Sequence, residues 1–303
     1  VLHLRVISPK TLSDDVLAVL RGNHGVTHVV VHRGAALEPI GDEITADIAR
    51  ESANSVVGEL KALGVKERGA ITLEALDTVL STRAWRAEDE AEGEPADAVI
   101  WDELVGRTRE ESTLTVTFVM FLCIACLIAA VGVVTDSPVT IVGAMVVGPE
   151  FGPLAGLAVA LVHRRMHLAR RAALALLIGF PIAMVVTAVF TLFFEGVGWV
   201  TLESTSELSE VDFIFQVGPF SLVVALLAGA AGMLSLVSSK SAALVGVFIS
   251  VTTVPAAGFA VVAATVGDWA VAAQSAAQLG VNLVGITVAG VIVLWVYRRA
   301  QAR

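Results

Sequence analysis

Glu150 is the residue of this sequence best placed to do chemistry. It is the only ionisable side chain in the apolar run 137–162, and Pro149 and Gly152-Pro153 flank it. A carboxylate inside hydrocarbon costs several kcal/mol unless it is paired, hydrated or protonated, so its position reads as a proton or cation site. A second proline break, with Thr252, Thr253 and Pro255, interrupts a later apolar run, and Asn282 lies in the last one. Their hydroxyl and amide groups are candidate partners for Glu150, although each alone is more often a packing hydrogen bond. Glu150, Pro149, Pro153, Thr252, Thr253, Pro255 and Asn282 therefore form the candidate transport or ion site. The competing reading makes Pro149 to Pro153 a short turn at the membrane surface between two re-entrant pieces.

Other chemistry-bearing spacings carry less. Cys123 and Cys126 have the spacing of a redox pair, yet they sit in an apolar run where burial suppresses thiol reactivity, and they read as small packing residues. His163 and His167 could share a helical face as metal ligands, but Arg164, Arg165, Arg170 and Arg171 would repel a cation. The N-terminal part holds no Gly-rich phosphate loop, no Ser/His/Asp set and no metal-spaced cluster. No catalytic residue, metal or cofactor is expected, and the chain is not read as an enzyme.

The elements that must position Glu150 are membrane helices. The chain has 303 residues, of which 56% are apolar, and its mean hydropathy is +0.80. Residues 114–134, 172–194, 213–239, 241–267 and 269–297 lack Asp, Glu, Lys and Arg. Each can cross a hydrocarbon core, which needs about 20 helical residues. With the run around Glu150, six crossings are expected. Loops on one side carry Arg164, Arg165, Arg170, Arg171, Lys240, Arg298, Arg299 and Arg303, and those opposite, at Thr135, 195–212 and Gly267-Asp268, carry no Lys or Arg. The positive-inside rule then places both termini in the cytoplasm.

The two breaks echo each other. Val142-Gly143 leads to Pro153-Leu154-Ala155-Gly156, and Val245-Gly246 leads to Pro255-Ala256-Ala257-Gly258. Three helices per repeat make the second copy enter the membrane upside down, and inverted repeats with broken helices are the sequence signature of secondary transporters. Alternatively, Pro and Gly only kink ordinary helices and let them pack closely, as Gly152 and Gly156 at GxxxG spacing could.

Ahead of the membrane runs lies an acidic part. Residues 1–111 hold 12 Lys or Arg against 21 Asp or Glu, and the remainder is balanced at 8 and 8. This gives no electrostatic footprint for nucleic acid. Val1 to Val6 is too short before Arg5 and Lys10 to be a secretory signal, so this part is expected to stay where it is made. Alternation and turn signals predict strands at 2–7, 26–31, 43–48 and 70–73, with helices at 11–21 and 52–63. The order βαββαβ predicts a ferredoxin-like or ACT-like α+β domain over residues 1–82. Residues 83–112 follow as an acidic linker, flexible from Arg86 to Asp97, and a juxtamembrane amphipathic helix from Val99 to Arg109. That helix lies at the membrane surface or packs on the soluble domain. The transmembrane domain is 113–303. Exposed sheet edges and the small residues Gly229-Ala230-Ala231-Gly232 suggest a homo-oligomer, most simply a dimer.

The stretch Thr135-Asp136-Ser137-Pro138, Gly143-Ala144-Met145, Gly148-Pro149-Glu150-Phe151-Gly152-Pro153 and Asn282-Leu283 resembles a prokaryotic membrane family known as domain of unknown function 389. Glu51-Ser52-Ala53-Asn54 and Asp77-Thr78-Val79-Leu80-Ser81 are similar as well. The resemblance implies a cytoplasmic N-terminal domain, a Pro-rich membrane core and a prokaryotic cytoplasmic membrane, without naming a substrate. Two functions are open: a secondary transporter or channel-like protein for a small ion or metabolite, regulated by its cytoplasmic domain, or a membrane-anchored ligand sensor or oligomeric scaffold.

Overall fold

A computed structural model describes residues 1–76, 78–91, 98–199, 218–238 and 252–300. Part of the acidic linker, most of the loop 195–212, the start of the run at 213, Lys240, residues 241–251 with Val245-Gly246, and Arg303 lie outside the described residues. The chain divides into two compact units, Val1–Trp101 and Asp102–Arg303.

The first unit runs β1 (Leu2–Ser8), α1 (Ser13–Gly22), β2 (Val26–Leu37), β3 (Ile40–Ile48), α2 (Arg50–Ala62), α3 (Val65–Arg68), β4 (Ala70–Ala75), α4 (Thr82–Glu90). Its four strands form an antiparallel sheet in the order β2-β3-β1-β4. Alternation along β1 sends Leu2, Leu4 and Val6 inward and leaves His3 and Arg5 on the other face. Leu4 and Val6 meet Val16 and Leu20 of α1 and Val56 and Leu60 of α2 in one core. Ile100 closes a smaller cluster with Leu2 and Ala53, and Asn54 donates to Val99 O at 2.7 Å.

Two features depart from the sequence expectation. The β2–β3 hairpin extends beyond 26–31 and 43–48, to Leu37 and back from Ile40. Gly34 makes this possible: its φ of 66° absorbs the register shift between His32 and Ala36. Its N–H donates to Asp42 Oδ1 at 2.8 Å. Helix α4 occupies 82–90, where a flexible linker was expected from Arg86. Ser81 starts it, accepting from Ala84 N at 3.3 Å as an N-cap.

The second unit holds α5 (Trp101–Glu111), α6 (Val116–Val134), α7 (Pro138–Val147), α8 (Phe151–His163), α9 (Met166–Gly196), α10 (Pro219–Val237), α11 (Thr253–Thr265) and α12 (Trp269–Ala300). Four of these, α6, α9, α10 and α12, are each long and apolar enough to cross a bilayer; α7 and α8, bent by 52° at the break, pass only as a pair and count as a fifth if the pair is one span and not a re-entrant loop. These helices mark an integral membrane protein. For the sixth expected crossing the described part is α11, whose 13 residues span only about 20 Å. Residues Thr253 to Ala263 are all buried, as befits a helix apolar on every side.

Small residues set the close approaches. A Cβ at Gly258 would lie 2.9 Å from Ala129 Cβ, so α11 can press on α6. Gly152 and Gly156 receive Glu111 and Ser112, which seats α5 against α8. The small face at Gly229, expected to be free for a second copy, is occupied within the chain: a Cβ there would lie 2.7 Å from Ile286 Cα of α12.

Candidate functional site

The break between α7 and α8 follows from its residues. Pro149 lacks an N–H and crowds the preceding turn, so α7 ends at Val147 with Gly148 extended. Helix α8 restarts at Phe151 with Pro153 as its third residue, where a missing N–H is harmless. Helix α11 repeats the pattern, starting at Thr253 with Pro255 third. The first intrahelical bonds correspond, Leu154 N to Glu150 O and Ala256 N to Thr252 O. Neither N-cap residue, Glu150 or Thr252, makes a side-chain cap.

The two helix starts meet. Thr253 Oγ1 donates to Glu150 Oε1 at 2.5 Å, joining residues 103 apart in sequence. Glu150 is 3% exposed and Thr253 is fully buried. Glu150 is the N-cap residue of α8 and Thr253 the first residue of α11, so two helix N-termini lie beside this carboxyl group, and a helix N-terminus favours negative charge. The second oxygen, Glu150 Oε2, has no hydrogen-bond partner among the described residues. It faces Gly148, where a Cβ would collide with it and would stand 2.8 Å from Val254 Cγ2.

A second polar chain reaches the same helix start. Asn282 Nδ2 donates to Thr252 Oγ1 at 2.8 Å, and Gln278 Nε2 donates to Asn282 Oδ1 at 3.1 Å. Gln278 Oε1 and Ser275 Oγ, on the same buried face of α12, are unpartnered among the described residues. The structure thus brings Glu150, Thr252, Thr253 and Asn282 together, with Pro149, Pro153 and Pro255 shaping the backbone. Sequence reasoning missed Gln278 and Ser275. Their signal was the helical spacing with Asn282, three polar residues on one stripe of an otherwise apolar helix.

This constellation can hold or release a proton at Glu150, or offer oxygens from Glu150, Thr252, Thr253 and Gln278 to a small dehydrated cation. No group of three or more His, Cys, Asp or Glu side chains among the described residues is arranged to hold a metal. His163 ends α8 while His167 belongs to α9, so the two do not share a helical face. Cys126 is buried and Cys123 half-buried, both as free thiols.

A Ser/His/Asp arrangement does exist in the first unit, where the sequence reading found none. Ser81 Oγ lies 2.9 Å from His28 Nε2, and His28 Nδ1 lies 2.7 Å from Asp47 Oδ2. Asp47 Oδ1 also pairs with His3 Nδ1 at 2.8 Å. Because Ser81 Oγ simultaneously caps α4, these bonds fasten that helix to the open face of the sheet. Strand pairing brings these residues together from distant positions, so no local motif announces them.

Fold and site together define an α-helical membrane protein with an N-terminal α+β unit. Residues 145–288 match a domain of unknown function (DUF389), so the chain carries that domain. The matched stretch contains every residue of the candidate site. A stretch of 168 residues is 24% identical to a protein of Methanocaldococcus jannaschii named uncharacterized protein MJ0678, covering 55% of this chain and 50% of that protein. The chain thus spans about half the length of this curated relative. No solved structure matches the chain.

Proposed function

We propose that the chain is a secondary transporter or channel-like protein that moves a small ion or metabolite past Glu150 and is regulated through its N-terminal unit. The observation that carries this reading is the Thr253–Glu150 bond: two half-helix starts from distant parts of the chain converge on one buried carboxyl group with an oxygen to spare. Helix packing supports an inverted pair of three-helix repeats. Helix α8 packs against α9 and α12, and α11 packs against α12 and α9, so each half-helix contacts the last helix of both triplets. In this reading six helices cross a prokaryotic cytoplasmic membrane with both termini inside. The strand order β2-β3-β1-β4 supports a ferredoxin-like, ACT-like regulatory unit, and its unpaired edges β2 and β4 suit a homodimer.

The test is flux. Purified wild type and Glu150→Gln are reconstituted into proteoliposomes and screened for proton, cation and metabolite movement. Glu150-dependent flux supports the reading, and identical behaviour of both proteins defeats it. Single cysteines at Ser206 and Gln301 in a Cys-free background should label from outside and inside respectively, and the reverse pattern would overturn the orientation. A monomeric mass in both detergent and nanodiscs would overturn the dimer. The rival reading, a ligand sensor or scaffold without transport, draws on the tight burial of Glu150 at 3% exposure, and predicts no flux from either protein.

A further inference from the structure

A cavity of about 460 Å³ lies beside the break. Arg107, Glu110 and Glu111 of α5 line it together with Gly148, Pro149 and Gly152 of the break, and Gly152 packs directly against Glu111. Thr113, Thr115 and Thr117 add hydroxyl groups, and Phe118, Phe121, Phe151 and Leu236 supply apolar walls. Arg107 Nε donates to Glu111 Oε1 at 3.2 Å, which offsets one charge and leaves the mouth acidic through Glu110. The side chains of Arg107 and Glu111 are 46% and 40% exposed, so they form its mouth.

The wall between this cavity and the buried carboxyl group is thin at one residue. Gly148 lines the cavity and also abuts Glu150 Oε2, the oxygen without a partner. A side chain there would fill the space between them. Glycine is not needed for its conformation, because Gly148 has an ordinary extended backbone with φ −64° and ψ 129°. What the position requires is the absence of a side chain.

We propose that this cavity is an aqueous vestibule through which a small cation, a proton or a metal ion, reaches Glu150 Oε2 past Gly148 from the side of α5. Acidic mouth residues and low-dielectric walls concentrate cations, and the threonine hydroxyls replace part of their hydration. The proposal deepens the transport reading and rests on it.

The experiment places a single cysteine at Thr117 in a full-length Cys123→Ala/Cys126→Ala background, reconstituted in liposomes. Cationic and anionic membrane-impermeant thiosulfonate reagents are applied from each side in turn. The expected result is reaction from the α5 side alone, about tenfold faster for the cationic reagent, with loss of that preference in Glu110→Gln and block of flux on modification. Gly148→Ala should label at Thr117→Cys like its parent yet lose flux, since the route is closed beyond the cysteine. Reaction only with apolar, lipid-soluble maleimides would show a lipid-filled groove and overturn the vestibule, even if flux still depends on Glu150. Flux in Gly148→Ala equal to its parent would overturn the route past Gly148. Vestibule labelling in a protein whose flux ignores Glu150→Gln would overturn both this proposal and the transport reading. Should Gly148→Ala fail to fold, block of flux on modification of Thr117→Cys tests the route in its place, and full flux after complete modification overturns it.

Discussion

Asp42 in the N-terminal unit and Glu150 in the membrane unit are both removed from solvent, at 1% and 3% exposure, yet their surroundings are opposite. Asp42 Oδ1 accepts from Gly34 N and Oδ2 from Arg33 Nη1, each at 2.8 Å. Among the described residues Glu150 has one hydrogen-bond donor, Thr253, and its Oε2 has none. A buried carboxylate with both oxygens filled is a structural rivet that keeps its charge at neutral pH. One left half satisfied in a low-dielectric site gains from any proton or cation that reaches it, so its occupancy can vary. Burial alone therefore does not separate structural from working carboxylates; the count of donors does.

The sharpest way to break this comparison is to neutralise each group. Glu150→Gln should lower pH-dependent flux by at least about tenfold while the helices stay folded, because the amide resembles the protonated acid. Asp42→Asn should leave flux unchanged. Proteoliposome flux alongside circular dichroism checks both, and equal losses would erase the distinction.

Asp42→Ala removes the acceptors of Gly34 N and Arg33, and should destabilise the N-terminal unit by about 1–3 kcal/mol, lowering its Tm by roughly 5–15 °C. Thermal melting of a fragment covering residues 1–101 measures this. The same fragment tests the pH dependence. The Gly34 N–H first, then the Ser13 hydroxyl and Arg33, hold the Asp42 carboxyl below the usual carboxylate range. Its stabilisation is present above the ordinary Asp value of about 4, and is lost as pH falls through the lower folded value. Melting temperatures measured downward from pH 5 should fall more steeply for wild type than for Asp42→Asn.

Thr253→Val strips Glu150 of its remaining donor. It should reduce flux severalfold, less than Glu150→Gln does, while Thr253→Ser retains it; a valine variant with wild-type flux would show that the bond only packs. The smallest effect belongs to Gly34→Ala. Nothing surrounds that position, so only the left-handed backbone is strained, by about 1 kcal/mol, and the fragment's Tm should move by a few degrees.

Regular alternation made the four strands legible, since Leu2, Leu4 and Val6 can face only one way. The extended hairpin was not, because Arg33-Gly34-Ala35-Ala36 and Pro39 read as loop until Asp42 is seen holding them. Helix α4 was hidden by its acidic composition, and its cap at Ser81 preceded the stretch taken as linker. In the membrane unit the breaks were visible as the pair Pro149 and Pro153 and as Pro255, and Glu150 as a lone charge. Gln278 escaped because an amide in an apolar helix acquires meaning only from its neighbours: it donates to Asn282 one turn on, and Asn282 reaches Thr252 on another helix. The convergence of Thr253 on Glu150 is a tertiary fact with no local periodicity to announce it.

Arg298 Nη1 of α12 donates to Val162 O at 2.7 Å, capping the far end of α8. Together with the bond at Glu150, this pins α8 at both ends, like a strut between two hinges. Axial sliding would break both pins at once, whereas rocking about either one preserves the other. Tilting about the Arg298 hinge would swing the Glu150 end away from Thr253, exchanging one neighbour for another without unfolding a single helical turn. Of the two motions, tilting about one pin breaks a single bond where sliding breaks two.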